Sequence, residues 1–344
     1  MTYAETLAYL YHNLPMFQRV GASAYKKDLT NTLQLCEALG NPQKKFKSIH
    51  IAGTNGKGST SHMLSAILQT AGYKTGLYTS PHLKEFTERI RVDGNEVSQE
   101  FVVDFVKRIK PSIESLKPSF FEITVAMAFD YFAKEQIDIA VIETGLGGRL
   151  DSTNVIHPIL SIITNISWDH MDLLGDTLPK IAFEKAGIIK DGVPVVVSER
   201  QDEVAHVFAD KANETKSKIT FASDIYKFKK NSHGLYDFAK PNKISMLIET
   251  DLMGDYQAKN IPGVLCAVDE LRLGGLPILD EHLHHGLKKT TSLTGLKGRW
   301  QTIETNPLII CDTGHNESGI KEILDSNQQD AIRSTSLGVR YGRR

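Results

Sequence analysis

Lys47–Ala52 is a short apolar, β-branched run that stops at a glycine. Gly53, Thr54, Asn55, Gly56, Lys57, Gly58, Ser59 and Thr60 then lead into a helix-like segment. Glycines let such a turn close tightly, so that several backbone N–H groups point at one anion. The following helix adds its positive end. Lys57 brings a cation toward the outer phosphates, and a hydroxyl from Ser59 or Thr60 is placed to face Mg²⁺. The loop reads as a phosphate cradle and therefore as a nucleotide site. Its spacing is not the Walker pattern. Only Thr54 and Asn55 separate Gly53 from Gly56-Lys57, and Gly58 precedes the hydroxyl pair.

The same strand–turn–helix grammar repeats along the chain. Strands are expected at residues 47–52, 74–79, 137–143, 159–165 and 193–198, and helices at 58–71, 98–109, 120–135 and 177–187. This alternation predicts an α/β fold, a mostly parallel sheet covered by helices on both faces. Ligands gather beyond the carboxyl ends of such strands. The polar motifs sit there: 53–59 after one strand, Ser80 after the next, Glu143 after another, 165–170 after another. From residue 220 to 250 the pattern changes to alternating, polar segments that read as antiparallel strands, followed by a helix over Gln257–Leu273. Residues 296–299 form a plausible boundary. Leu308–Cys311 then reads as a new strand and 319–324 as a short helix, the opening of a second α/β unit. The expected division is an ATP-binding body at 1–296 and a fragment of a further domain at 297–344, with an irregular tail from residue 326. A unit this short cannot bury enough surface to stand alone, so the pattern is that of a chain cut short after Asp325.

Composition narrows the class. The 344 residues are 41% apolar and 24% charged, ordinary for a globular protein, and the net charge of −1 gives no basic field for nucleic acid. Cys36, Cys266 and Cys311 are scattered and form neither a metal pattern nor a disulfide framework, so a reducing cytoplasm is the expectation. The N-terminal MTYAETLAYLYHNL reads as an amphipathic helix rather than a signal peptide, and no apolar run is long enough to span a bilayer.

Glu143 ends an apolar strand before a glycine-rich loop. Hard cations such as Mg²⁺ are held by one or two carboxylates plus phosphates and water, which fits Glu143. Taken alone, Ser80 reads as a turn hydroxyl before proline. His170 has two open readings, a ligand for a second cation or a base. Lys185 alone reads as a surface lysine. His282, His284 and His285 lack carboxylate or thiol partners at useful spacing and read as a solvated helix face, and Lys229-Lys230 and Lys288-Lys289 read as solvated surface.

Eight segments in order resemble the folylpolyglutamate synthase / dihydrofolate synthase family of the Mur ligase superfamily. They are GTNGKGS at 53–59, TSPHL at 79–83, FFE at 120–122, ETGLGGRLDSTN at 143–154, TNISWDHMDLLG at 164–175, FEKAGI at 183–188, GRW at 298–300 and DTGHN at 312–316. The resemblance implies an ATP-dependent ligase that joins L-glutamate to dihydropteroate or to the glutamate tail of a folate through an acyl phosphate. It implies that residues 53–60 and Lys57 hold the ATP phosphates, with Asn260 at the adenine and Arg299, Asp312 and His315 on the far side. Ser80, Glu143, His170 and a carbamylated Lys185 would hold two Mg²⁺, with K⁺ as a further cation. Phe120, Phe121, Glu122, Leu150, Asp151 and Ser152 would face the pterin. The partners implied are small molecules, without nucleic acid or membrane, acting on a monomer. DTGHN departs from the family's usual DGAHN but keeps Asp312, His315 and Asn316. The alternatives are a truncated remnant that binds nucleotide without turnover, or a ligase of cell-wall precursors.

Overall fold

The computed structural model describes residues 1–15, 21, 28–230, 235–240 and 246–329. Its central feature is an eight-stranded sheet. The strands are β1 (Lys47–Ala52), β2 (Thr75–Tyr78), β3 (Ile90–Val92), β4 (Asn95–Glu96), β5 (Ile139–Glu143), β6 (Leu160–Ile163), β7 (Val195–Val197) and β8 (Ile219–Phe221). Their spatial order is β4-β3-β2-β5-β1-β6-β7-β8. The six strands from β2 to β8 in that order run parallel, and β3 and β4 add an antiparallel edge. The expected mostly parallel sheet is present.

Burial on both faces explains the composition of the central strands. Ile49, Ile51, Ile139, Val141 and Ile162 are at most 1% exposed, as expected where helices cover both sides. On one face the helices Lys57–Thr70, Gln257–Leu273 and Asp280–Lys288 pack with Leu64, Ile67, Val264 and Leu283. On the other, Gln99–Leu116, Phe120–Lys134 and Tyr3–Asn13 contribute Phe105, Phe129 and Leu10. Tyr3–Asn13 is the expected N-terminal amphipathic helix, started by a Thr2/Glu5 capping box. The helix expected to stop at residue 109 runs on to Leu116. Pro111 lies inside it, and Ile113 continues the buried stripe. Apolar burial outweighs the local cost of the proline.

A small antiparallel sheet of β9 (Lys227–Lys230), β10 (Tyr236–Ala239) and β11 (Met246–Ile248) follows, as the alternation predicted. Residues 231–234 and 241–245 of that segment lie outside the described residues. Leu308–Cys311 differs from expectation. It is β13 of a hairpin, paired antiparallel with β12 (Gln301–Thr305) across a turn at Asn306-Pro307. The turn residues before Leu308 were the signal for this pairing. Helix Glu317–Gln329 follows, and the tail beyond residue 329 lies outside the described residues. Among the described residues no helix is long and apolar enough to cross a membrane.

The register decides where the site is. Ile51 pairs with Glu143, Ala52 with Ile163, and Tyr78 with Ile142. The carboxyl ends of β1, β2, β5 and β6 therefore open side by side.

Candidate active site

A cleft of about 520 Å³ lies beyond those strand ends. Its floor is the loop after β1. Gly53 has φ +146°, and a Cβ there would stand 1.8 Å from Thr164 Oγ1. Gly56 caps the Lys57–Thr70 helix at φ +86°, and a Cβ there would stand 2.2 Å from Asn260 Oδ1. Both positions need glycine for conformation and for space. The β6 end fixes the loop from the side. Thr54 N–H donates to Asn165 O at 2.8 Å, and Asn55 N–H donates to Asn165 Oδ1 at 2.9 Å. Thr164 Oγ1 donates to Asn55 O.

Positive charge converges on this loop. Lys57 Nζ donates to Gly53 O (3.0 Å) and Thr54 O (3.1 Å). Lys185 Nζ donates to the same Gly53 O at 2.8 Å. Lys185 is 3% exposed, not a surface residue. Burial first, and the Lys57 charge second, lower its pKa to about 7. The Arg299 guanidinium would lie 3.1 Å from a Cβ at Gly58 and donates to Gly298 O and to Thr313 Oγ1. Such a crowd of cations around backbone N–H groups suits a polyanion.

The negative groups face it. Glu143 is 4% exposed, and among the described residues it accepts one hydrogen bond, from Ser80 N–H at 3.3 Å. Burial pushes its carboxyl pKa up, while Lys57, Arg299 and the Ser80 N–H oppose the rise. Asp169 stands between two imidazoles, His170 Nε2 at 3.6 Å and His315 Nε2 at 3.8 Å. Burial lowers the His170 pKa, against the pull of Asp169, so the ring is held neutral at pH 7. Among the described residues no three His, Cys, Asp or Glu side chains converge as a metal cage. The donor set of one under-bonded buried carboxylate, one hydroxyl and one imidazole beside a carboxylate instead fits Mg²⁺ carried on phosphates, since that ion keeps few protein ligands.

Most sequence-predicted residues line this cleft: Thr54 through Ser59, Ser80, Phe120, Phe121, Glu122, Glu143, Leu150, Asp151, Ser152, His170, Lys185, Asn260, Arg299, Asp312 and His315. Two do not. Thr60 is fully buried and its N–H is spent on Gly56 O within the helix. Gly53 lies under the loop, where its carbonyl anchors the two lysines.

Several others carry structural work that the sequence did not reveal. The Asp151 carboxylate accepts from Gly145 N–H, Leu146 N–H, Thr153 N–H and Thr153 Oγ1, which fixes the loop after Glu143. Glu122 caps its own helix through Ser119 N–H at 2.6 Å. Phe120 is 4% exposed and packs on Phe86, leaving Phe121 the more open ring of the pair. Asp312 accepts from Trp300 N–H (2.7 Å), Gly314 N–H (2.9 Å) and the Tyr256 hydroxyl. Asn260 Nδ2 donates to Gln257 Oε1, whose amide nitrogen donates in turn to Ser59 Oγ.

Asp169, Tyr256 and Arg89 were missed. Asp169 adjoins His170, and an acid beside a candidate ligand is a readable signal. Tyr256 is placed by a tertiary contact with no sequence trace. His282, His284 and His285 do sit on a helix away from the cleft, as expected, with His282 Nδ1 accepting from Leu279 N–H.

The Mur ligase middle domain model matches residues 51–268. The dihydrofolate synthase/folylpolyglutamate synthase of Bacillus subtilis is 38% identical over 316 residues, 88% of this chain and 73% of that one. The solved structure of an FPGS–AMPPCP–folate complex superposes with a TM-score of 0.85 at 33% identity, covering 96% of this chain and 81% of that one. Escherichia coli FolC in complex with DHPP and ADP gives 0.82 at 28% identity, covering 98% and 76%. The strand–loop–helix unit, the acid after β5 and the match across the whole described body together make this chain a member of the folylpolyglutamate synthase / dihydrofolate synthase family, built on the Mur ligase middle domain.

Proposed function

We propose that this cleft joins L-glutamate to a pterin-linked acid, dihydropteroate or the glutamate tail of a folate, with cleavage of ATP to ADP and phosphate. The observation that carries the reading is the meeting of the glycine loop and its lysines with the buried Glu143 in one cleft, in a chain whose family relatives are named for both synthase activities.

The chemistry sets what the residues must do. An acceptor carboxylate oxygen attacks the γ-phosphorus, and the bond from that phosphorus to the ADP oxygen breaks. The glutamate amine then attacks the acyl carbon, phosphate leaves with its oxygen, and the amine loses a proton. Reactions between anions need alignment and charge neutralisation more than covalent help. In this reading the N–H groups of Gly56–Ser59 and the Lys57 ammonium hold the phosphates, Arg299 and His315 approach from the opposite wall, and Asn260 meets the base. Ser80, Glu143 and His170, with Asp169 orienting the imidazole, would hold Mg²⁺. The ion supplies charge neutralisation at the transferring phosphoryl group. K⁺ belongs to the proposal as an accessory cation. Lys185 supports a carbamate reading, because burial brings its pKa down to about 7 and leaves a substantial share of the amine neutral and free to attack CO₂. Phe121, Leu150 and Ser152 face the pterin, with the Asp151 carboxylate shaping that wall.

The proposal extends to a body at 1–296 and a following unit from 297, hinged at Lys297–Arg299. The positive φ of Gly298 and the reciprocal Asn55–Asn316 amide pair, at 3.2 and 3.0 Å, support it. It further takes the protein as a cytoplasmic monomer acting on small molecules, without nucleic acid or membrane. The test is ADP release that requires both L-glutamate and dihydropteroate or tetrahydrofolate, with and without Mg²⁺ and K⁺. ADP release stimulated instead by UDP-linked muropeptides contradicts the folate reading.

A further inference from the structure

Arg89 ends the short 3-10 turn Phe86–Arg89 that leads into β3, against the cleft wall. It is 4% exposed. Its Nε donates to His82 Nδ1 at 2.8 Å, and its guanidinium sits 5.3 Å from the centre of the Phe120 ring. The Tyr78 hydroxyl bonds it, the Tyr11 hydroxyl is near, and the Glu143 carboxylate acts on it from beyond ion-pair distance. Its direct contacts, His82, Phe120 and Tyr78, are neutral, and among the described residues no carboxylate forms an ion pair with Arg89.

Arg91, on β3 itself, is handled differently. Arg91 is equally buried, and its guanidinium pairs with Glu96 at 2.8 Å. Arg108 on a neighbouring helix pairs with Asp130. A guanidinium stays charged in any protein environment, and a buried charge without a counter-charge is costly. A cation placed in a substrate cleft with no carboxylate paired to it is therefore incomplete without an anion from outside. The phosphate-binding cation, Lys57, stands at the loop after β1. Arg89 stands instead on the wall of Phe120, beside the Ser80–His82 segment.

We propose that Arg89 binds a carboxylate of the acid acceptor, pairing its planar fork with the two oxygens, and so sets the cleft's preference for an acid over a neutral pterin. A bidentate guanidinium–carboxylate pair suits this role better than an ammonium. The proposal rests on the folate reading above. The acceptor carboxylate has two sources, the benzoyl carboxylate of dihydropteroate and the glutamate-tail carboxylates of tetrahydrofolate.

The experiment is equilibrium binding, by titration calorimetry, of dihydropteroate, its carboxamide, tetrahydrofolate and its tail diamide to the full chain and to R89M and R89K. The wild-type protein is expected to prefer each acid over its amide by about 10- to 100-fold, the worth of a charge-assisted hydrogen bond. In R89M the preference disappears while ATP affinity is kept, and R89K restores part of it. Loss for both acids places Arg89 at the reacting carboxylate. Loss for tetrahydrofolate alone places it at the tail. If R89M does not fold, the wild-type acid-to-amide ratio and its fall in R89K decide the matter. Equal binding of acid and amide by the wild type, or a preference unchanged in R89M, overturns the proposal. Wild-type protein that binds none of the four contradicts the folate reading itself.

Discussion

Glu143 and Lys185 show how burial changes what a side chain is for. Glu143 gains little from the protein around it, with one N–H donor and a carboxyl whose charge burial opposes. Replacing it with Gln keeps the volume and removes the charge. We expect turnover to fall at least about 100-fold, the scale of losing an electrostatic stabiliser, while the melting temperature holds or rises. Active E143Q enzyme would mean that Glu143 holds no cation. Lys185→Ala is expected to abolish turnover and to recover partly with added acetate or propionate, which replace a carbamate's oxygens. Rescue by acetamide at the same concentration would argue against the carbamate. The sequence placed Lys185 on a helix but gave no sign of its burial. That arises because Leu178–Ala186 packs Ile181, Ala182 and Ala186 inward, and Lys185 shares that face.

At the scale of elements, the helix at Gln257–Leu273 joins the body to the hairpin. The Tyr256 hydroxyl meets Asp312, and Lys259 meets Glu322. Tyr256→Phe removes one donor and leaves Asp312 its two backbone donors. The expected cost is about 1 kcal/mol in urea unfolding, typical of one hydrogen bond, with a larger relative loss in ATP affinity if Asp312 orients the far wall. An unchanged urea midpoint and unchanged ATP affinity would show that the contact carries nothing. The strands and long helices were legible because their apolar periods are strong. Gln257–Leu273 falls at the expected residues. The hairpin was half legible. Leu308–Cys311 is apolar enough to read as a strand, whereas Gln301–Thr305 is mostly exposed and its partner is set by the Asn306-Pro307 turn. The roles of Asp151, Glu122 and Asp312 as backbone acceptors were not legible, since a carboxylate that fixes a loop and one that meets a ligand have the same letter.

Across the whole molecule, two histidines sit neutral in the interior. His50 Nε2 contacts Thr153 Oγ1 and His62 Nδ1 contacts Thr294 Oγ1, both at 2.8 Å. Burial lowers each pKa from 6.5 to about 3, with Lys190 adding to the effect at His50 and Arg91 and Arg299 at His62. The folded state refuses protons that the unfolded chain accepts below pH 6.5, so stability is present above that value and falls as pH drops toward 3. Each histidine contributes up to about 1.4 kcal/mol per pH unit. Between pH 6.5 and about 5, above the ordinary carboxylate range, urea midpoints are expected to fall, and His62→Gln is expected to make the slope shallower. A flat profile in the wild type would contradict the neutral assignment. In the proposed reaction the acceptor carboxylate takes the phosphoryl group from ATP before the glutamate amine attacks. The direct measurement is transfer of ¹⁸O from carboxylate-labelled dihydropteroate during turnover with ATP and L-glutamate. The account predicts one labelled oxygen in each phosphate released, and none in ADP. Phosphate without label, formed at the same rate as the amide, would contradict it.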